Sequence, residues 1–214
     1  MNLDFVNRQN CRSIFIFQQI PETSFEDDDA ATKRMLDLQR GPCVLVGHSY
    51  GSSIISQVGV DSHVVGLVYV AAHALDVGEN ESALGKRLPS VLARQKGAIE
   101  KTGDGFTFLN HNEFCGLFAP DLPHEQADFE SRSQVLASAK VFSTPLTAAA
   151  WKAKPIWGIV ALADKIINPD LERWYYARAH SQTTEIKGAS HSVYESHPME
   201  IAAVIEEAAQ ECQK

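Results

Sequence analysis

Cys43-Val44-Leu45-Val46-Gly47-His48-Ser49-Tyr50-Gly51 is the stretch from which the rest of the chain can be read. Its first five residues form a continuous apolar run after Gly41-Pro42, the pattern of a strand buried on both faces. Ser52 to Val58 follows with Ile54, Ile55 and Val58 on one side, as a helix would place them. Ser49 sits between, at the centre of Gly-x-Ser-x-Gly. Composition alone produces that motif in a chain of this size with a probability of roughly several per cent, so its weight comes from the strand before it and the helix after it. Side chains at the two flanking positions would clash across so tight a turn, so both must be very small. A serine held there is strained, with its hydroxyl exposed. The backbone N–H of Tyr50, at the start of the helix, can stabilise an oxyanion. The plain alternative is a serine in an ordinary glycine-bounded loop.

Outward from this stretch, short apolar runs alternate with helical patterns. Ile14-Phe15-Ile16-Phe17 reads as a strand. Ser24 can cap a helix whose first turn holds Glu26 and Asp27, where the helix dipole favours acidic groups, and which runs to about Gln39. Val64 to Ala72 and Ile156 to Ala163 read as buried strands, Asp170 to His180 as a helix, and Thr183 to Lys187 as a last short strand. Pro198 to Cys212 is an amphipathic helix with Ile201, Val204, Ile205, Ala208 and Cys212 on its apolar face. This alternation implies an α/β fold: a mainly parallel sheet with helices on both faces, in a single domain over residues 1–214. The stretch from about His73 to Ala150 breaks the rhythm and reads as a cap or lid inserted over the sheet.

A serine hydroxyl needs a base, and the base needs an orienting acid. On this kind of sheet both should follow strands, in the chain order serine, acid, histidine. Asp164 directly follows the Ile156–Ala163 strand, and His191 follows the last strand in Lys187-Gly188-Ala189-Ser190-His191. Asp76, after the Val64–Ala72 strand, is the alternative acid. Asp164 could also simply start a turn with Asn168-Pro169. His197 reads as the cap of the last helix. His180 sits near a helix C-terminus, which favours its charge. The turn should aim His48 away from the serine hydroxyl. His73 and His111 belong to the cap region and read as satisfied structural or exposed histidines, with a pocket lining as the alternative.

Bulk properties narrow the function. The chain has 214 residues with 19 basic and 27 acidic side chains, a net charge of −8. That argues against nucleic acid, which is bound by neutralising phosphates. No apolar run approaches the roughly 20 residues of a membrane helix, so no membrane partner is expected. Cys11, Cys43, Cys115 and Cys212 are scattered, as reduced thiols in a cytoplasmic protein would be, and no signal peptide is read at the N-terminus. Neither His-x-x-x-His nor a nucleotide-binding glycine loop occurs, so no metal and no cofactor are expected.

At this point the sequence resembles the bacterial α/β-hydrolase-fold proteins with a short helical cap, grouped with small esterases and cofactor-free haloperoxidase-like enzymes. The resemblance runs from about residue 13 to the end. It is carried by Thr23-Ser24-Phe25-Glu26-Asp27-Asp28, Val44 to Gly51, Gly66 to Ala72, Ala148 to Lys152 with Lys154-Pro155, and Gly188 to Tyr194. It implies a serine hydrolase acting on a small ester-like substrate, with Ser49 as nucleophile, Asp164 as acid, His191 as base and the Tyr50 N–H in the oxyanion hole. Phe106, Phe108, Phe114, Phe118 and Trp151 would supply an apolar pocket or plain core. Attack of peroxide on the same acyl enzyme, giving perhydrolysis, uses the same residues.

The sequence departs from this family at its N-terminus. No His-Gly dipeptide occurs, although the loop bearing it usually supplies the second oxyanion donor, and the family's first strands are missing. If Ile14–Phe17 is the family's fourth strand, the third is absent and the edge of the Cys43–Gly47 strand is left unpaired, which is costly when buried. Three arrangements would resolve this: a shortened reading of a longer gene product, direct pairing of Ile14–Phe17 with Cys43–Gly47, or a homodimer that closes the edge. Loss of one oxyanion donor slows catalysis by roughly 10²–10³. The opposing expectation is therefore a non-catalytic or truncated pseudo-hydrolase that binds a ligand or partner.

Overall fold

A computed structural model describes the backbone of residues 2–9 and 12–212, and side chains from residue 15 to residue 212. The elements run in chain order β1 (Asn2–Gln9), β2 (Arg12–Gln19), α1 (Phe25–Leu36), β3 (Cys43–His48), α2 (Gly51–Val58) and β4 (Val64–Val70). Short elements follow: α3 (Glu81–Leu84), α4 (Val91–Arg94), β5 (Ile99–Lys101), β6 (Phe106–Leu109), α5 (His111–Leu117), α6 (His124–Arg132) and β7 (Ala137–Ser138). The chain ends with β8 (Ile156–Ala161), α7 (Pro169–Arg178), β9 (Gln182–Ile186), α8 (Val193–Ser196) and α9 (Pro198–Glu211).

The main sheet has the order β2-β1-β3-β4-β8-β9. β3, β4, β8 and β9 pair in parallel, as the alternation of strands and helices implies. Successive residues of a strand point to opposite faces, and the core divides accordingly. Cys43, Leu45, Leu67 and Tyr69 pack with α1, α2 and α7, whereas Val44, Val46, Val68 and Val70 pack with the Ile201, Val204, Ile205 and Ala208 stripe of α9. With both faces covered, every residue of β3 and β8 is buried. This explains their unbroken apolar runs. Among the described residues no helix is long and apolar enough to cross a membrane.

The N-terminal expectation is corrected. Ile14–Phe17 lies within β2 and does not pair with β3. β1 lies between them, antiparallel to both. The edge of β3 is therefore paired within the chain, from Asn7↔Cys43 to Leu3↔Gly47. Because β1 runs against β3, its Leu3 lies beside Gly47 and its Asn7 beside Cys43, at the opposite end of β3.

Several boundaries differ from the sequence reading for local reasons. The Val64 strand stops at Val70 because Ala71 turns into the left-handed region, φ 44. Ser24 caps α1 as expected, accepting the Asp27 N–H, but the helix closes at Asp37 instead of continuing to Gln39. The stretch between β4 and β8 is not purely helical: it contains the small antiparallel sheet β5-β6-β7.

Candidate active site

Ser49 follows β3 directly with φ 52, a left-handed conformation that non-glycine residues enter only at a cost of order 1–3 kcal/mol. The turn is held on both sides. Ser49 donates its N–H to the Val70 carbonyl at 3.2 Å, and its own carbonyl accepts from Ser52 N–H at 3.0 Å and Ser52 Oγ at 2.6 Å. The requirement for glycine at position 47 is steric: a Cβ there would lie 2.8 Å from Ser52 Cα and 2.9 Å from the Gly51 carbonyl. Tyr50 is anchored by its side chain, which donates to Asp28 Oδ2 at 2.7 Å. The other Asp28 oxygen accepts the Glu22 N–H at 2.7 Å. Burial pushes the Tyr50 phenol up, so it remains a donor. Among the described residues no hydrogen bond uses the Tyr50 backbone N–H.

Asp164 and His191 meet at the ends of β8 and β9. Asp164 Oδ2 accepts from His191 Nδ1 at 2.6 Å, while Oδ1 accepts the N–H groups of Ile166 and Ile167 at 2.7 and 3.1 Å. Asp164 thus opens the turn with one oxygen and holds the His191 ring with the other. A hydrogen on Nδ1 leaves the lone pair on Nε2. Nε2 is buried with no hydrogen-bond partner among the described residues, and no bond joins it to Ser49 Oγ in this structure. Phe118, from the stretch between β4 and β8, stands edge-on to the His191 ring at 4.7 Å with Phe114 stacked behind it at 4.8 Å. Asp121 grips the loop bearing the histidine by accepting from Ser190 N–H at 2.9 Å and from Ser190 Oγ. The Phe118 carbonyl accepts from Ser190 Oγ at 3.1 Å and Ser192 N–H at 3.2 Å.

The other sequence candidates separate cleanly. Asp76 is bound by Lys152 at 2.6 Å and takes no part in the Asp164–His191 pair. His48 turns away as expected, and its Nε2 lies 2.8 Å from the His191 carbonyl oxygen. Burial, then the neighbouring His191, push its imidazole well below the ordinary range. His111 is structural, with Nδ1 2.6 Å from the Ser131 carbonyl oxygen. Two expectations are corrected. His73 is neither exposed nor satisfied: it is buried, and its Nδ1 is 3.9 Å from Glu81 Oε2 without a hydrogen bond. Burial pushes its imidazole down to about 3 and pushes Glu81 up to about 7, while Glu81 accepts from Ser53 Oγ at 2.5 Å. His197 occupies the N-cap position of α9 but makes no capping bond, because its Nδ1 is paired with Ser196 Oγ at 2.8 Å. Of the five aromatics, Phe118 touches His191. Trp151 donates to the Leu75 carbonyl at 2.7 Å, and Phe108 faces His111.

Sequence reasoning missed Glu172, on α7. It is wholly buried, accepts the Ala161 N–H at 3.2 Å and lies close enough to Asp164 for the two carboxyls to act on each other. The signal was present in the sequence: a carboxylate three and four residues before Tyr175 and Tyr176, on the same helix face as two large apolar rings.

A parallel sheet with a serine on a strained strand-to-helix turn and a carboxylate-held histidine at neighbouring strand ends defines a class of hydrolytic α/β proteins. Residues 18–204 match the alpha/beta hydrolase family, so the chain belongs to that family and is a hydrolase. Among solved structures it is similar to a pyrethroid hydrolase from Sphingobium faniae JZ-2, with 22% identity and a TM-score of 0.72 over 88% of this chain and 78% of that one. It is similar to polyneuridine aldehyde esterase at 13% identity and a TM-score of 0.71, covering 87% of this chain and 80% of the other. It is also similar to a methylesterase from Arabidopsis at 16% identity and a TM-score of 0.70, covering 89% and 80%. Identities this low speak to the fold. No curated protein matches the sequence.

Proposed function

We propose that the chain is a cytoplasmic serine esterase that cleaves a small, mostly apolar ester through an acyl-Ser49 intermediate. The observation that carries this reading is the 2.6 Å bond from His191 Nδ1 to Asp164, which leaves a buried Nε2 with no hydrogen-bond partner among the described residues. In the first half-reaction Nε2 takes the Ser49 Oγ proton as Oγ attacks the ester carbonyl carbon. The developing oxyanion is met by the Tyr50 N–H. The intermediate collapses, and the alcohol leaves with the proton from His191. In the second, His191 takes a proton from water, the hydroxide attacks the acyl carbon, and Ser49 Oγ recovers its proton as the carboxylic acid departs. Phe118 and Phe114 form the apolar side of the substrate site. The names of the similar esterase and methylesterase support an ester as substrate.

One observation favours the second reading, a non-catalytic binder. The strand beside β3 runs antiparallel, so no loop leaves its C-terminal end next to Ser49 to offer a second oxyanion donor. A fluorophosphonate probe and hydrolysis of p-nitrophenyl acetate separate the two. Labelling and turnover that vanish in Ser49→Ala are expected. Folded protein that resists the probe, yet is stabilised by small ligands without turnover, would establish the binder instead.

A further inference from the structure

Glu172 is a buried carboxyl beside Asp164 whose Oε1 has no hydrogen-bond partner among the described residues. Two neighbouring buried carboxyl groups cannot both be charged at low cost, so the favoured arrangement leaves one of them protonated. The hydrogen-bond inventory says which. Asp164 already accepts three donors, from Ile166, Ile167 and His191. Glu172 accepts one, from Ala161 at Oε2, and its Oε1 has no partner if both groups are ionised. A proton on Glu172 Oε1 resolves both defects at once: it removes an uncompensated buried charge and turns the orphan oxygen into a donor to Asp164.

We propose that Glu172 is a positioning residue: a neutral carboxylic acid that donates a hydrogen bond to Asp164 and thereby fixes the charge and aim of the carboxylate that holds His191. The other groups facing it fit this assignment. Tyr176, on the same helix, is a neutral phenol whose oxygen accepts the Ala72 N–H. Arg173, the next residue, also acts on it by its charge, but its guanidinium is bound by Glu185 and Asp170. Burial, then the charge of Asp164, push the Glu172 carboxyl well above its ordinary range. The bond from Glu172 draws charge away from the oxygens of Asp164 and so moderates the pull of Asp164 on the His191 proton. Removing the donor should strengthen that pull and make His191 more basic.

This inference rests on the triad reading for its effect on catalysis, but the proton itself can be observed without turnover. The infrared difference spectrum of wild type minus Glu172→Gln should show the C=O stretch of a protonated carboxylic acid at pH 8. Its absence overturns the proposal. The amide of Gln can accept from Ala161 and donate to Asp164, so Glu172→Gln should keep the wild-type acid limb of the kcat/KM profile. Glu172→Met cannot donate, and should move that limb, and the His191 imidazole titration seen by NMR, upward by about one pH unit. Gln behaving like Met, or Met leaving His191 unmoved, would refute the role. If Glu172→Met does not fold, the Gln profile and the infrared band still decide it. A protein that shows the band but never labels at Ser49 fails the esterase reading alone. One that labels normally but lacks the band fails this inference alone.

Discussion

At Asp164 the two carboxylate oxygens have separate partners, and that division makes a substitution there informative. Oδ1 is committed to two backbone N–H groups and Oδ2 to His191. In Asp164→Asn the amide oxygen stays with the two N–H groups, which turns the NH₂ toward His191 Nδ1. Two donors then face each other unless the imidazole moves its hydrogen to Nε2, and Nε2 can no longer act as a base. Turnover of p-nitrophenyl acetate should fall by roughly 10³–10⁴ with the fold intact. A loss below tenfold would mean that Asp164 does not set the tautomer. The positions of Ser49 and Asp164 were legible in the sequence because apolar strands lead into them, whereas His191 rested on chain order, since the strand before it, Gln182-Thr183-Thr184-Glu185-Ile186, is mostly polar. Glu172 was harder to see. Its meaning depends on Asp164, which a helical pattern does not reveal, and a glutamate in a helix usually reads as a solvated face. His73 was misread for a related reason: nothing in its neighbours along the chain shows that Glu81 and Tyr175 enclose it.

At the scale of elements, the parallel strands and the helices that cover them were legible because burial on both faces writes continuous apolar runs. β1 was not. Its sequence, Asn2-Leu3-Asp4-Phe5-Val6-Asn7-Arg8-Gln9, is rich in polar residues, and the strand it joins lies about 40 residues further on. Its place comes from backbone pairing that no local pattern announces. Between β8 and α7 the fit depends on one missing side chain. A Cβ on Gly158 would lie 2.6 Å from the ring of Tyr176. That ring is fully buried, and its hydroxyl holds the Ala72 N–H at 3.1 Å, so it cannot swing aside without losing the bond. Gly158→Ala should therefore destabilise the protein by about 1–3 kcal/mol. Each kcal/mol should appear in thermal melts as a Tm lower by roughly 2–4 °C. An unchanged Tm would show that α7 rides loosely on the sheet.

Across the whole molecule, stability should depend on pH through two opposed sets of buried groups. His48 and His73 are neutral in the fold, with His73 pushed down to about 3 from its ordinary 6.5. Below pH 6.5 the unfolded chain takes up protons that these histidines refuse in the fold. Their contribution is therefore complete above pH 6.5 and is lost as the pH falls toward 3. Glu81 acts the other way. Burial raises it from 4.5 to about 7, so its contribution is complete below pH 4.5 and is lost as the pH rises to 7. Melts of wild type, His73→Gln and Glu81→Gln from pH 4 to 8 should separate the two. His73→Gln should flatten the acid side, and Glu81→Gln should gain more Tm at pH 8 than at pH 4. A gain from Glu81→Gln that does not vary with pH would show that Glu81 is not ionising within the fold. The His48 ring lies 4.6 Å from that of His191, and Glu81 accepts from Ser53 in the helix that follows Ser49, so stability is linked to the site.

The grip of Asp121 and the Phe118 carbonyl on Ser190 and Ser192 has a consequence for anyone wishing to re-engineer specificity. The segment between β4 and β8 is not a module that can be exchanged with a relative's while the rest is left untouched. A transplant would remove the aromatic wall and, with it, the hydrogen-bond acceptors that moor the loop of His191. The ring against His191 and the groups that moor its loop come from the same few residues, so an exchanged segment must bring its own equivalents of Asp121 and Phe118.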